Sequence, residues 1–205
     1  MSAQQKESGV TIEIEHQVLV EGRMIRTPRL ALRPWSAADA PAALAIYGSE
    51  QVTHWLSPAM GRIDDLAAME EVIAGWLADP LPEPAGRWAM ELVDTGQLVG
   101  STVLLPLPPE GEDLQIGWQL APSFWGQGLA AEAGHAVAHL AFEAGVEELF
   151  AVVRPRNERG ARTARSIGME WVGESEKYFD LRLQVYRLRR GELDVPKLPD
   201  ISRLA

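Results

Sequence analysis

The chain has 205 residues, 46% of them hydrophobic, no cysteine and a formal net charge of -10. These values allow one sizeable core, in one domain or two small ones, and exclude disulfides, thiolate metal sites and cysteine nucleophiles. So acidic a chain is poorly suited to nucleic acid, whose affinity rests largely on neutralised phosphates, and better suited to a cationic partner such as an amine.

No apolar run reaches about 18 residues, so no membrane span is expected. The opening MSAQQKESGV lacks the apolar stretch of a secretory signal, and a cytoplasmic protein fits best. Residues 1–24 read as an N-terminal extension, partly disordered, in which Thr11 to Val20 is a candidate extra strand. Arg29 to Pro34 alternates polar with apolar and reads as a strand ending at its proline. Ser36 then caps a helix running to about Tyr47, with Gly48 as its stop. Asp64 or Asp65 starts a second helix, whose stripe of Leu66, Met69, Val72, Ile73, Trp76 and Leu77 falls at steps of three and four.

Trp88–Val93, an Asp-Thr-Gly turn and Leu98–Leu105 form a predicted hairpin, and Leu114–Leu120 a further strand. A helix follows from Gly128 to about Ala144, then a short strand Glu148–Val153 and a helix from Asn157 to about Ile167. Met169 to about Phe179 and Leu183–Arg189 read as the last strands, and residues 191–205 as a charged tail. This order predicts one α+β domain over residues 25–190: a mixed, mostly antiparallel sheet of six to seven strands, about four helices and one β-α-β crossover near residues 114–153.

The chemistry concentrates in Gln115 to Gly134, QIGWQLAPSFWGQGLAAEAG. A strand ends, a short turn follows, and Gly-x-Gly leads straight into a helix. Glycine lets the backbone approach a ligand closely, and the first helical amides, with no internal partner, make an anion site suited to a pyrophosphate. A lone Gly-x-Gly is more often only a tight turn. Here Gln115-Ile116-Gly117-Trp118-Gln119-Leu120-Ala121-Pro122 precedes Trp125-Gly126-Gln127-Gly128-Leu129-Ala130-Ala131-Glu132-Ala133. Together they resemble the GCN5-related N-acetyltransferase (GNAT) superfamily, in its ribosomal-protein alanine acetyltransferase branch. Asn157-Glu158-Arg159-Gly160-Ala161-Arg162, closing in Gly168-Met169, resembles a second family motif. Thr27 to Arg33 resembles the family's first strand, and Val52 to Leu56 its acceptor-pocket loop.

The resemblance implies a GNAT-like fold with a splayed pair of parallel strands and acetyl-CoA as the acyl donor. The pyrophosphate would sit on the amides of Gly126, Gln127, Gly128, Leu129, Ala130 and Ala131, beside Trp125. The pantetheine arm would pair with backbone from Trp118 to Leu120, with Asn157 bonding it from the other side. His54 and Trp55 would line the acceptor site. The acceptor would be a small amine or a protein N-terminus, attacking directly while an amide near Leu120 stabilises the oxyanion. A homodimer through the last strands would fit the family.

The pattern is broken at four positions. Gln115 stands where many relatives have a glutamate base, Ala164 where many have a thiolate-protonating tyrosine, Gly160 where a serine is usual, and Gln127 where a lysine or arginine is common. Asp113, two residues before Gln115 and so on the same side of an extended strand, is the candidate base, with Glu91 and Glu112 as alternatives. Tyr178 is the candidate acid, with Tyr186 behind it. Arg154, Arg156, Arg159, Arg162 and Arg165 cluster around the Asn157 helix; Arg159 and Arg162 share a face, fit either to meet the 3′-phosphate of CoA or to be solvated. His135 and His139 are four apart on one helix but lack an HExxH pattern or third ligand, so no metal is expected. The rival readings are a non-catalytic CoA-binding module and a transferase using another acyl-CoA.

Overall fold

The computed structural model describes residues 18–56, 60–79, 81–109 and 111–193. The strands are β1 Leu19–Glu21, β2 Met24–Arg26, β3 Leu30–Pro34, β4 Gly86–Leu92, β5 Leu98–Pro106, β6 Leu114–Leu120, β7 Glu148–Val153, β8 Glu170–Ser175 and β9 Leu183–Arg189. They form one sheet in the order β1-β2-β3-β4-β5-β6-β7-β9-β8. The helices are α1 Ala40–Tyr47, α2 Glu50–Thr53, α3 Leu66–Ala78, α4 Leu129–Glu143 and α5 Glu158–Ile167.

The expected α+β class and the crossover are present: β6 and β7 are parallel, joined through α4, and every other neighbouring pair is antiparallel. Among the described residues the counts are nine strands and five α-helices, above the expected six to seven and about four. The added strands β1 and β2 have three residues each, too few for an alternating pattern to register. Their hairpin turns at Gly22, which has φ +60°. It is held by tertiary contacts: Ile25 is buried, and the Trp88 indole donates to the Arg23 carbonyl at 2.8 Å. The added helix α2 is a single turn of four residues after Ser49, too short for a repeating apolar stripe to register. Of the candidate strand Thr11 to Val20, only residues 18–20 lie within the described residues, and Leu19 and Val20 belong to β1.

Two helical layers cover opposite faces of the sheet. The α4–α5 layer packs with Leu30, Leu32, Met90, Val99, Ile116 and Leu149. The α1–α3 layer packs around Trp35, Ile46, Tyr47, Met69, Ile73 and Ala89. Close approach of α4 to α5 depends on Gly134, where a Cβ would lie 2.4 Å from Cδ1 of Ile167.

Candidate active site

The parallel pair holds register at one point only, Gln115 opposite Phe150. Past it the strands diverge, and Ile116 to Leu120 on one side and Ala151 to Arg154 on the other line a cleft of about 630 Å³. Backbone groups of β6 that would have faced β7 are left over the gap without a strand partner, free for an extended ligand arm.

At the mouth of the gap, a 3-10 turn Pro122–Phe124 leads into Trp125, Gly126, Gln127 and Gly128. Gly126 and Gly128 have φ +77° and +78°, left-handed values that suit glycine. The first ladder bond of α4 runs from the Glu132 amide to the Gly128 carbonyl at 3.0 Å. The amides of Leu129 to Ala131 therefore precede the ladder, and with the helix dipole they form an anion site.

This loop is tied down from three sides. The Trp125 indole donates to the Leu120 carbonyl at 2.9 Å, closing the turn onto the end of β6. The Arg159 guanidinium lies 3.7 Å from the Trp125 ring centroid, bridging α5 to the turn. On the third side is Glu132, which is 5% exposed. It accepts from the Thr27 hydroxyl at 2.6 Å, the Arg29 amide at 3.0 Å and the Arg29 guanidinium at 2.6 Å. The same guanidinium donates to the Gln127 carbonyl at 2.8 Å.

The other end of the cleft opens between β4–β6 and the α1–α3 layer. Register and alternation bring Arg87, Val103 and Gly117 into one row across the sheet, next to the row of Ser101 and Gln119. Tyr47 and Ser101 share a 2.6 Å hydrogen bond, and the Ser101 hydroxyl donates to Gln119 Oε1 at 2.9 Å. Burial pushes the Tyr47 hydroxyl up to about 12, against the opposing Ser101 bond and Arg87 charge. Trp55, Leu56, Met60 and Trp76 form an apolar wall.

The charged residues lining the cleft, among those described, are Arg87, Arg154, Arg159 and Arg162; no aspartate, glutamate, histidine or lysine lines it. In a chain of net charge -10, the cleft is thus a positive region.

A family model described as an acetyltransferase (GNAT) domain matches residues 29–170. The chain belongs to the GNAT acetyltransferase family. It is 28% identical to the uncharacterized N-acetyltransferase YoaA of Bacillus subtilis over 159 residues, 76% of this chain and 87% of that one. An acetyltransferase from Agrobacterium tumefaciens superposes with a TM-score of 0.66 at 27% identity, covering 85% of this chain and 99% of that one. Mycobacterium smegmatis RimJ, solved with a CoA-disulfide, has a TM-score of 0.69 at 19% identity, covering 92% and 91%, which shows the fold alone. The chain is accordingly an acyltransferase of this family.

Most of the residues singled out from the GNAT motifs meet in the cleft: Trp118, Leu120, Trp125, Gly126, Gly128, Leu129, Ala130, Ala131, Asn157 and Arg162 line it, and Trp55 does at the far end. Gln127 is exposed and outside the lining, its carbonyl held by Arg29. His54 is exposed too, packed edge-on against Trp55 at 4.6 Å. Asn157 caps α5, its Oδ1 accepting from the Gly160 amide at 2.9 Å, which leaves its Nδ2 hydrogens to be offered to a ligand. A Cβ at Gly160 would lie 2.8 Å from that Nδ2, so a serine there would crowd the cap.

Asp113 and Tyr178 are absent from the lining and instead bond each other, the hydroxyl donating at 2.7 Å, while Lys177 donates to Asp113 at 2.8 Å. The Lys177 ammonium, outweighing partial burial and helped by Tyr178, holds the Asp113 carboxyl below the usual carboxylate range. Burial, with Asp113 alongside, pushes Tyr178 up to about 12. A carboxylate that binds its proton more weakly is a poorer base, and a hydroxyl that holds it more tightly a poorer acid. Glu91 pairs with Arg33 at 2.8 Å, and neither it nor Glu112 reaches the lining.

Among the described residues no group of three potential metal ligands is present, and no helix is long and apolar enough to cross a membrane. The sequence did not single out Arg87, Tyr47 and Ser101, which line the end of the cleft away from the glycine turn, or the Thr27–Arg29–Glu132 tie behind the loop. The tie left a trace, since both halves lie in family-like motifs; their pairing across 103 residues did not.

Proposed function

We propose that this chain transfers an acetyl group from acetyl-CoA to a primary amine, a small molecule or a peptide N-terminus, in the cytoplasm. The observation that carries the reading is the gap beyond Gln115 and Phe150, which opens beside a helix start with two left-handed glycines. In it the amides of Gly126 to Ala131 receive the pyrophosphate. The pantetheine arm lies along Trp118 to Leu120, and Arg162 meets the 3′-phosphate. RimJ, solved with a CoA-disulfide on this fold, supports the cofactor assignment. The amine nitrogen attacks the thioester carbonyl, a C–N bond forms, the C–S bond breaks and CoA leaves as thiolate. The amide near Leu120 stabilises the oxyanion, and the surplus proton on nitrogen passes to water. Asp113 and Tyr178 act in this reading as a tie between β6 and the loop before β9.

Two outcomes follow. With no carboxylate or histidine lining the cleft, the acceptor must arrive already neutral. Acceptor kcat/KM should rise tenfold per pH unit up to the amine's own pKa, with no plateau at the pKa of an enzyme group. Thiol release from acetyl-CoA with benzylamine over pH 6 to 10 measures this, and a plateau near pH 6 to 7 would show an enzyme base. Asp113→Asn should leave kcat within about threefold and mainly reduce stability; a loss of about 100-fold or more in kcat would restore Asp113 to the chemistry. Because the folded pKa of Asp113 lies below its unfolded value, its contribution to stability is present above the unfolded pKa and is lost as pH falls through the folded one. CoA binding by calorimetry with no thiol release from acetyl-CoA and any amine would favour the binding module, and release only with succinyl-CoA another donor.

A further inference from the structure

We infer that the acceptor is a primary amine carrying an anionic group on an apolar scaffold, and that Arg87 receives the anion; this rests on the amine-acetylation reading. Arg154 directly follows β7, and Arg159 and Arg162 lie on α5, on the side of the cleft assigned to the cofactor. Arg87 stands apart from them on β4, two strands from β6. It lies in register with Val103 and through it with Gly117, on the face of the Tyr47–Ser101–Gln119 network. Two strand spacings place its backbone roughly 10 Å from that of β6, within reach of the long guanidinium side chain.

Arg87 is half-buried, and its guanidinium makes no hydrogen bond or ion pair with any described residue, although its charge acts on the Tyr47 hydroxyl. The chain supplies partners to comparable arginines elsewhere: Arg33 has Asp39 and Glu91, and Arg29 has Glu132. A guanidinium left unpaired in a cleft without carboxylates is a preformed receptor for a carboxylate or phosphate, able to bind it through two parallel hydrogen bonds. The same charge disfavours a second cation, so polyamines and lysine-rich peptides are poor acceptors. Trp55, Trp76 and Met60 provide the surface for the scaffold between anion and amine.

The two sources of such a molecule are a free amino acid and a peptide N-terminus with an acidic second residue. Matched pairs separate charge from shape: 3-(aminomethyl)benzoate against 3-(aminomethyl)benzamide, and Ala-Asp against Ala-Asn N-terminal peptides. Steady-state thiol release with acetyl-CoA should give the charged member of at least one pair a kcat/KM about 10- to 100-fold higher, the worth of a charge-assisted hydrogen bond. Which pair responds identifies the source. Arg87→Gln should abolish the preference and Arg87→Lys restore part of it. The CoA dissociation constant, measured by calorimetry, should stay within twofold of wild type in both, which also certifies folding.

A preference for the neutral member in both pairs, or a charge preference that survives Arg87→Gln, overturns the proposal. The transferase reading fails separately. If no amine is acetylated, calorimetric binding of 3-(aminomethyl)benzoate to the CoA complex still decides the site. Binding lost on Arg87→Gln upholds it, and no Arg87-dependent binding overturns it.

Discussion

Glu132→Ala is expected to destabilise the protein by about 3 kcal/mol and to weaken CoA binding as well, because one buried carboxylate serves both tasks. Its oxygens accept from Thr27 and from both the amide and guanidinium of Arg29. Alanine would strand these donors, and removing one partner of a buried pair costs about 3–5 kcal/mol. The lower end applies because Arg29 is 29% exposed and water reaches the abandoned guanidinium. For a chain of this size about 3 kcal/mol corresponds to a fall in Tm of roughly 6–12 °C. The released Arg29 also loses its orientation toward the Gln127 carbonyl, so the glycine turn loosens and the dissociation constant for CoA should rise about tenfold. Thermal unfolding together with calorimetry checks both halves. A Tm within 2 °C of wild type would refute the buried tie, and unchanged CoA affinity would show that the loop holds its shape without it.

Gly126→Asp is expected to separate binding from folding in the opposite way. A Cβ at Gly126 meets no atom within 4 Å, so the side chain has room. The φ of +77° is left-handed, costing an L-residue roughly 1–2 kcal/mol, and aspartate is among the residues that tolerate it best. The new carboxylate would face the place assigned to the pyrophosphate. Like charges about 4 Å apart repel by roughly 1–4 kcal/mol at the effective dielectric of water or a protein surface. The CoA dissociation constant should therefore rise about 5- to 1000-fold while Tm falls by only a few degrees. Gly126→Asn, with the same backbone strain and no charge, should retain most of the affinity. If both variants bound CoA like wild type, the phosphate site would have to lie elsewhere.

The residues that deviate from the family pattern acquire physical meaning once the cleft is formed. Gln115 stands at the single register point of the parallel pair, where the strands begin to part. Ala164 is fully buried on the inner face of α5 among the core residues, so a tyrosine there would displace packing in this chain. With Asp113 and Tyr178 engaged by each other, the proposed reaction relies on positioning rather than on an acid or base from this pair.

The end of the cleft assigned to the cofactor was legible in the sequence because its information is local. Trp125 to Ala131 are consecutive, the turn depends on glycine at Gly126 and Gly128, and the anion site is the unbonded start of the helix that immediately follows. The same locality made the α4 and α5 boundaries readable from Gly128, Asn157 and Gly168. The β1–β2 hairpin was not legible, because three-residue strands show no period and are held by Trp88, Ala85 and the buried face of Ile25. The acceptor end was not legible either. Tyr47 comes from α1, Arg87 from β4, Ser101 from β5 and Gln119 from β6, and none of them lies in a motif that singles it out for that role. They meet because strand register sets which residues share a row and alternation sets which face they occupy, and a one-residue slip would turn each strand's contribution to the opposite face. Local backbone chemistry thus determined the glycine turn and helix start to which the acyl donor is assigned, and only the packing of sheet against helices decided which side chains line the opposite end of the cleft.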